Sequence, residues 1–116
     1  MKKKQSQLND GIASFYKEKE KKTDFNAAIS AKSKEDMVFI VNMAYKECYK
    51  REKDFEFAEL NGHALSLKIK IHLYSGIEKT QKVVIDGTKY NILKIDYAKD
   101  ERRMYLYLEE VGKIAE

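Results

Sequence analysis

Hydrophobic and polar positions alternate most cleanly over Ala64 to Tyr74 (ALSLKIKIHLY), where Leu65, Leu67, Ile69, Ile71 and Leu73 share one parity and Ser66, Lys68, Lys70 and His72 the other. A period of two over that length predicts a strand with one face in a core and one face wet. Val83 to Glu110 (VVIDGTKYNILKIDYAKDERRMYLYLEE) holds three more alternating runs, the first two joined by Asp86-Gly87 and the last two by Ala98 to Glu101. Asp-Gly between apolar runs marks a two-residue hairpin, because both turn positions need positive φ. Val83, Ile85, Tyr90 and Ile92 keep one phase, but Leu93, Ile95 and Tyr97 fall on the other, so the slip between Ile92 and Leu93 predicts a bulge or a strand buried on both faces. In the last run, Met104, Leu106 and Leu108 alternate with Arg103, Tyr105, Tyr107 and Glu109.

The first half of the chain is less regular. Gly11 to Glu20 alternates weakly and suits a first strand that frays into Lys17 to Lys22. Thr23 to Glu35 mixes turn formers with Phe25, Ala27 and Ile29, as in a short extended piece followed by a loop. Met37 to Cys48 (MVFIVNMAYKEC) fits two periods: Met37, Phe39, Val41, Met43 and Tyr45 for a strand, and Met37, Ile40, Val41, Ala44 and Cys48 for a helix. The strand is preferred, against a capping-box spacing at Ser33 and Asp36. Lys50 to Asn61 (KREKDFEFAELN) is rich in helix formers and is closed by Gly62, which predicts a short helix with Phe55, Ala58 and Glu59 on one face and Phe57 and Leu60 flanking it. The expected fold is therefore mainly β with a short helix: a small, strongly bent antiparallel sheet or barrel of about six strands with one inserted helix. Leu67, Ile69, Ile85, Ile95 and Leu106 are its expected core.

Composition narrows this further. With 116 residues, 43% hydrophobic and 36% charged, the chain has room for one core. The organisation read from it is a flexible basic arm over 1–10, one domain over 11–111 and a tail over 112–116. The longest uncharged apolar stretch, Met37 to Tyr45, is nine residues, against the roughly 20 of a membrane span. Met1-Lys2-Lys3-Lys4 starts like a signal peptide but is followed by polar residues, so a cytosolic protein without a membrane partner is expected. The net charge of +4 is localised: residues 1–22 carry seven lysines against Asp10, Glu18 and Glu20, and the charges of residues 23–116 cancel. A basic arm on a neutral body differs from the basic face of a general nucleic-acid binder.

Little in the chain announces chemistry. Cys48 is the single cysteine and reads as a small buried hydrophobe. His63 and His72 stand outside any metal-binding spacing, and His72 lies on the polar face of a strand beside Lys70. The carboxylate pairs Glu109-Glu110 and Asp100-Glu101 sit at a strand end and a turn, where charges are solvated. The five glycines form no phosphate-binding loop. No catalytic, cofactor or metal residue is therefore assigned, and an enzyme is the least favoured class. Tyr105 and Tyr107, close to Arg102 and Arg103, are the candidate nucleic-acid-facing group, since strand tyrosines can stack on bases; the plainer reading is that they cover the edge of a small barrel.

LNDGIASFYKEK, then KREKDFEFAELNG leading into LSLKIKIHL, then VVIDGTKYNILKIDYAKDERRMYLYLEE resembles the head-tail adaptor proteins of tailed bacteriophages, also called head closure or head-tail joining proteins. The likeness runs from about Leu8 to Val111. Its most telling part is the lysine-alternating strand, a loop, a strand entering Tyr90, apolar residues and Ile95-Asp96, and a terminal Tyr/Leu strand. The long apolar Met37 to Cys48 segment departs from the pattern. The resemblance implies a small β-barrel with an inserted helix or loop, acting as a structural connector that closes the DNA-filled head and offers the surface for tail attachment. It further implies a ring in the virion neck, assembled in the bacterial cytoplasm from a chain that is monomeric alone. Its partners would be the portal or adaptor protein of the head and a tail-completion protein, with at most non-specific contact to packaged DNA. Arg51, Asp54 and Glu59 on the inserted element and Lys2, Lys3 and Lys4 on the arm are the candidates for partner contact. The alternatives are a single-stranded nucleic-acid-binding module of the OB type and a tail-completion protein.

Overall fold

A computed structural model describes residues 7–18 and 37–114. The elements run in the order β1 (Gly11–Glu18), β2 (Met37–Glu47), α1 (Glu52–Leu60), β3 (Leu67–His72), β4 (Lys82–Ile85), β5 (Thr88–Ala98) and β6 (Arg103–Lys113). The expectation of a mainly β fold with six strands and one inserted helix holds. The strands pair antiparallel in the order β1, β2, β3, β6, β5, β4, and β4 returns to β1 through Ser14 with Val84, Phe15 with Val83 and Tyr16 with Lys82, so the sheet closes in a ring. The extended piece and loop expected over Thr23 to Glu35, the Ser33/Asp36 capping box and the Lys2 to Lys4 arm lie outside the described residues.

Ala13, Phe15, Ile69, Ile71, Val83, Ile85, Ile92, Met104, Leu106 and Leu108 fill the inside of the ring, with Leu67 and Ile95 packed against them. The five expected core residues are thus all in or against this cluster. Asp86 and Gly87 have φ of 50° and 76°, the pair of left-handed residues that a two-residue turn between Ile85 and Thr88 requires. The slip in the Val83 to Tyr97 pattern is a bulge: Ile92 pairs with Leu108 and Lys94 with Tyr107, leaving Leu93 as the extra residue. Ile92 therefore points into the ring and Leu93 outward, into a second cluster with Ala58, Leu65 and Tyr107.

Three sequence expectations need correction. The strand expected over Ala64 to Tyr74 is only Leu67–His72, so Leu65 leaves the alternation for the outer cluster and Leu73 stands outside the core, 39% exposed. Of Met37 to Cys48 the residues Met37–Glu47 form a strand, but Phe15 pairs with Val41 and Tyr16 with Phe39, so Ile40 is bulged and the inward phase breaks there. Phe39 consequently turns out of the core and stacks edge-on against Tyr16, with ring centroids 5.6 Å apart. The helix occurs where expected, but it buries Asp54 and Ala58, while Phe55 and Glu59 face solvent.

Candidate functional site

The outer face of β3, β6 and β5 carries the densest polar arrangement of the described residues. Register builds it. Lys68 sits opposite Tyr107 and Tyr107 opposite Lys94, and in the next row Lys70 is opposite Tyr105 and Tyr105 opposite Asp96. Each row puts a tyrosine ring between long side chains, as cross-strand neighbours do on a pleated surface. The Lys68 ammonium lies 5.0 Å from the centroid of the Tyr107 ring and 5.6 Å from that of Tyr105, and Lys94 lies 5.3 Å from Tyr107, all within cation–π range. His72 and Arg103 make the third row, with the guanidinium donating to His72 Nδ1 at 2.9 Å.

Helix α1 covers one end of this face. Its Asp54 is only 4% exposed and is fully engaged: Arg51 donates to it from Nη2 at 3.0 Å and from its backbone N–H at 2.9 Å, and Lys68 Nζ lies 3.1 Å away. The expectation that Lys68 is on a wet face fails for this reason. Its direction off the sheet is as predicted, but the helix lands on it, and Lys68 is 6% exposed. Burial alone would raise the Asp54 carboxyl, yet the hydrogen bonds from Arg51 and Lys68 outweigh it and hold the group down to about 2. A carboxylate shifted below its free value of 3.8 favours the folded state fully above about pH 4 and loses that contribution as pH falls toward 2, the larger share coming from Arg51 on its own segment and the smaller from Lys68 on the sheet. The shift corresponds to roughly 2 kcal/mol. An NMR titration is therefore expected to place the Asp54 midpoint near 2, with protection of the α1 amides falling over the same interval.

Beside the helix, Arg51, Lys68, Asp96, Tyr97, Tyr105 and Tyr107 line an open groove of about 380 Å³. Tyr107 is 2% exposed and its hydroxyl donates to Asp96 at 2.8 Å, and burial followed by that bond pushes its ionisation well up. The two tyrosines expected to form a stacking platform are thus unequal. Tyr105 is half-buried, whereas Tyr107 has no free ring face, because the helix and Leu93 close over it. Arg103 is buried and bonded to His72, and only Arg102, left-handed at φ 54°, stands at the surface of the turn. Of the partner-contact candidates, Arg51 and Glu59 are at the surface, and Asp54 is a buried anchor of the helix.

The remaining candidates are structural in their contacts. His63 Nδ1 lies 3.1 Å from Glu109 Oε1, whose other oxygen accepts the Ala64 N–H at 2.8 Å, so the pair ties the chain after α1 to β6. Cys48 is half-buried, and burial raises its thiol. Among the described residues no group of three or more His, Cys, Asp or Glu side chains is placed to hold a metal ion, and no helix is long and apolar enough to cross a membrane. Sequence reasoning set Lys68 on the polar face of its strand but joined neither it nor Lys94 to the β6 tyrosines; the lysine alternation on β3 and the tyrosine alternation on β6 were the available signal.

The fold and the face together define a small closed antiparallel sheet with a helix strapped across its outside. No protein-family model matches the chain, and no curated protein matches it.

Proposed function

We propose that the protein is a non-enzymatic structural component of the head-to-tail connector of a tailed bacteriophage, closing the DNA-filled head and carrying the surface to which the tail attaches. The observation that carries this reading is the apolar surface on the inserted excursion. Leu60 is 87% exposed, Tyr49 85% and Phe55 40%, all on the excursion between β2 and β3, outside the closed sheet and its core. Large apolar side chains held in water on the outward side of an inserted element suit contact with neighbouring subunits. The sequence resemblance gives that contact its setting: a ring in the virion neck, between the portal or adaptor protein and a tail-completion protein, built from chains that are monomeric before recruitment. The Lys2, Lys3 and Lys4 arm would meet an acidic neighbour or the phosphates of packaged DNA, and a phosphate contact would weaken with salt.

The test is complementation of DNA-filled, tail-less heads that carry a portal. The purified chain is expected to restore joining to tails, and Leu60→Glu is expected to lower the yield by about tenfold or more, as loss of one buried interface anchor does. Its thermal unfolding should match the parent, since Leu60 is almost fully exposed and belongs to no core cluster. Joining unaffected by the chain, or micromolar binding of oligonucleotides of any sequence at about 150 mM salt, would replace this reading with the single-strand binder.

A further inference from the structure

The excursion between β2 and β3 is pinned at both ends and lightly held between them. The Cys48 N–H donates to the Lys68 carbonyl at 2.7 Å, and after the helix Ala64 N–H donates to Glu109 Oε2 and Ser66 N–H to the Leu108 carbonyl, both at 2.8 Å. Between these pins, α1 buries one methyl group, that of Ala58, and one carboxylate, that of Asp54. Its larger apolar residues do not dock it: Phe55 and Leu60 face water, and Phe57 is half-buried with the Lys94 ammonium 4.9 Å from its ring. The helix backbone stands off the strands, whose own core lies on the far side of the sheet.

The ion pairing allows separation without stranding a charge. Asp54 is bonded both to Arg51, on its own segment, and to Lys68, on the sheet. If the helix lifts, Asp54 leaves with Arg51 as its counter-ion and its cap, and Lys68 keeps the faces of Tyr105 and Tyr107 and gains water. An isolated buried charge, the usual penalty for breaking such a pair, never forms.

We infer that residues 51–61 are a strap that swings off the closed sheet as a unit, hinged at 48–50 and at Gly62, with Asp54 and Lys68 as its latch and His63 staying with Glu109 on the sheet. Gly62, at φ 75° and with open space around it, is the natural pivot after the helix. Opening uncovers Leu65, Leu93, Tyr107 and Lys68 and joins them to Lys94, Tyr105 and Lys70, converting a covered patch into one continuous aromatic and cationic strip. The inference is independent of the connector reading, since it concerns the chain alone.

Native-state thiol labelling tests it. In a Cys48→Ser background, Ala58→Cys reports on the strap and Val83→Cys on the inside of the ring, both positions being fully buried or nearly so. The Ala58→Cys thiol is expected to react at least about tenfold faster than the Val83→Cys thiol, as a local opening demands. Adding Asp54→Asn should raise the first rate by about tenfold again and leave the second unmoved. Equal rates at the two reporters, or an Asp54→Asn effect that is absent or common to both, overturns the proposal. Should Asp54→Asn not fold, hydrogen exchange of the unaltered chain decides. Amides of residues 56–60 exchanging about a hundredfold faster than those of Ile69 and Leu106 support the strap, and equal protection refutes it.

Discussion

Lysine in place of Ile69 is expected to abolish cooperative unfolding altogether. Ile69 is fully buried, opposite Leu106 on one side and Glu47 on the other, at the only stretch where β2 and β3 pair. The cluster around it is built of hydrophobic side chains, and the carboxylate across the β2 pairing, that of Glu47, is exposed to solvent. Burying it unpaired costs more than the roughly 5–15 kcal/mol that holds a domain together. Circular dichroism during heating should show a gradual, featureless change, and the near-ultraviolet signal of the tyrosines should be lost at the lowest temperature. A sharp transition near that of the parent would mean that the side chain escapes the ring and that the assigned register is wrong.

Removing the ring of Phe15 should cost about 3–5 kcal/mol, the range for Phe→Ala in a close-packed core. Phe15 is fully buried on β1 and pairs with Val41 on β2 and Val83 on β4, so it spans the seam where the sheet closes. Denaturant titration of Phe15→Ala is expected to move the midpoint downward with an unchanged slope, because the whole ring still unfolds together. Phe55→Ala, an equal truncation on the outer surface of α1, should change stability by less than about 0.5 kcal/mol. A similar loss for both would place Phe55 in a core and contradict its exposure.

Much of the ring was legible because its signals are local. The alternation of Leu67, Ile69 and Ile71, the Asp86-Gly87 turn and the phase slip at Leu93 each follow from neighbours in sequence and backbone geometry. The bulge at Ile40 was not legible, since Met37 to Tyr45 is apolar on both parities and offers no contrast to mark a slip. The strand ends at Leu65 and Leu73 were hidden for a similar reason: alternation continues beyond the last paired residue. Asp54 shows the other limit. A carboxylate next to Lys53 on a short helix reads as solvated, and its burial depends on Lys68, fourteen residues later, arriving on the adjacent outer face. The same event turned Tyr107 from a candidate platform into a covered side chain while leaving Tyr105 at the groove. A pairing that exists only after the sheet has formed leaves no periodic trace in the chain.

The seam between β1 and β4 also sets the order of assembly. Its three residue pairs join positions about 70 apart in sequence, whereas β4 and β5 meet across two turn residues. A hairpin of that kind forms in about 1–10 μs, while contacts between distant segments await the slow search that makes β topologies fold in milliseconds to seconds. The strands from β3 to β6 can therefore zip into a curled, open sheet well before β1 arrives to complete the circumference. During that interval the edges of β4 and β3 are unpaired, and this is the species most exposed to misassociation at high concentration. With Phe15 engaging as the seam closes, in the slow step itself, Phe15→Ala is expected to slow refolding as well as hasten unfolding.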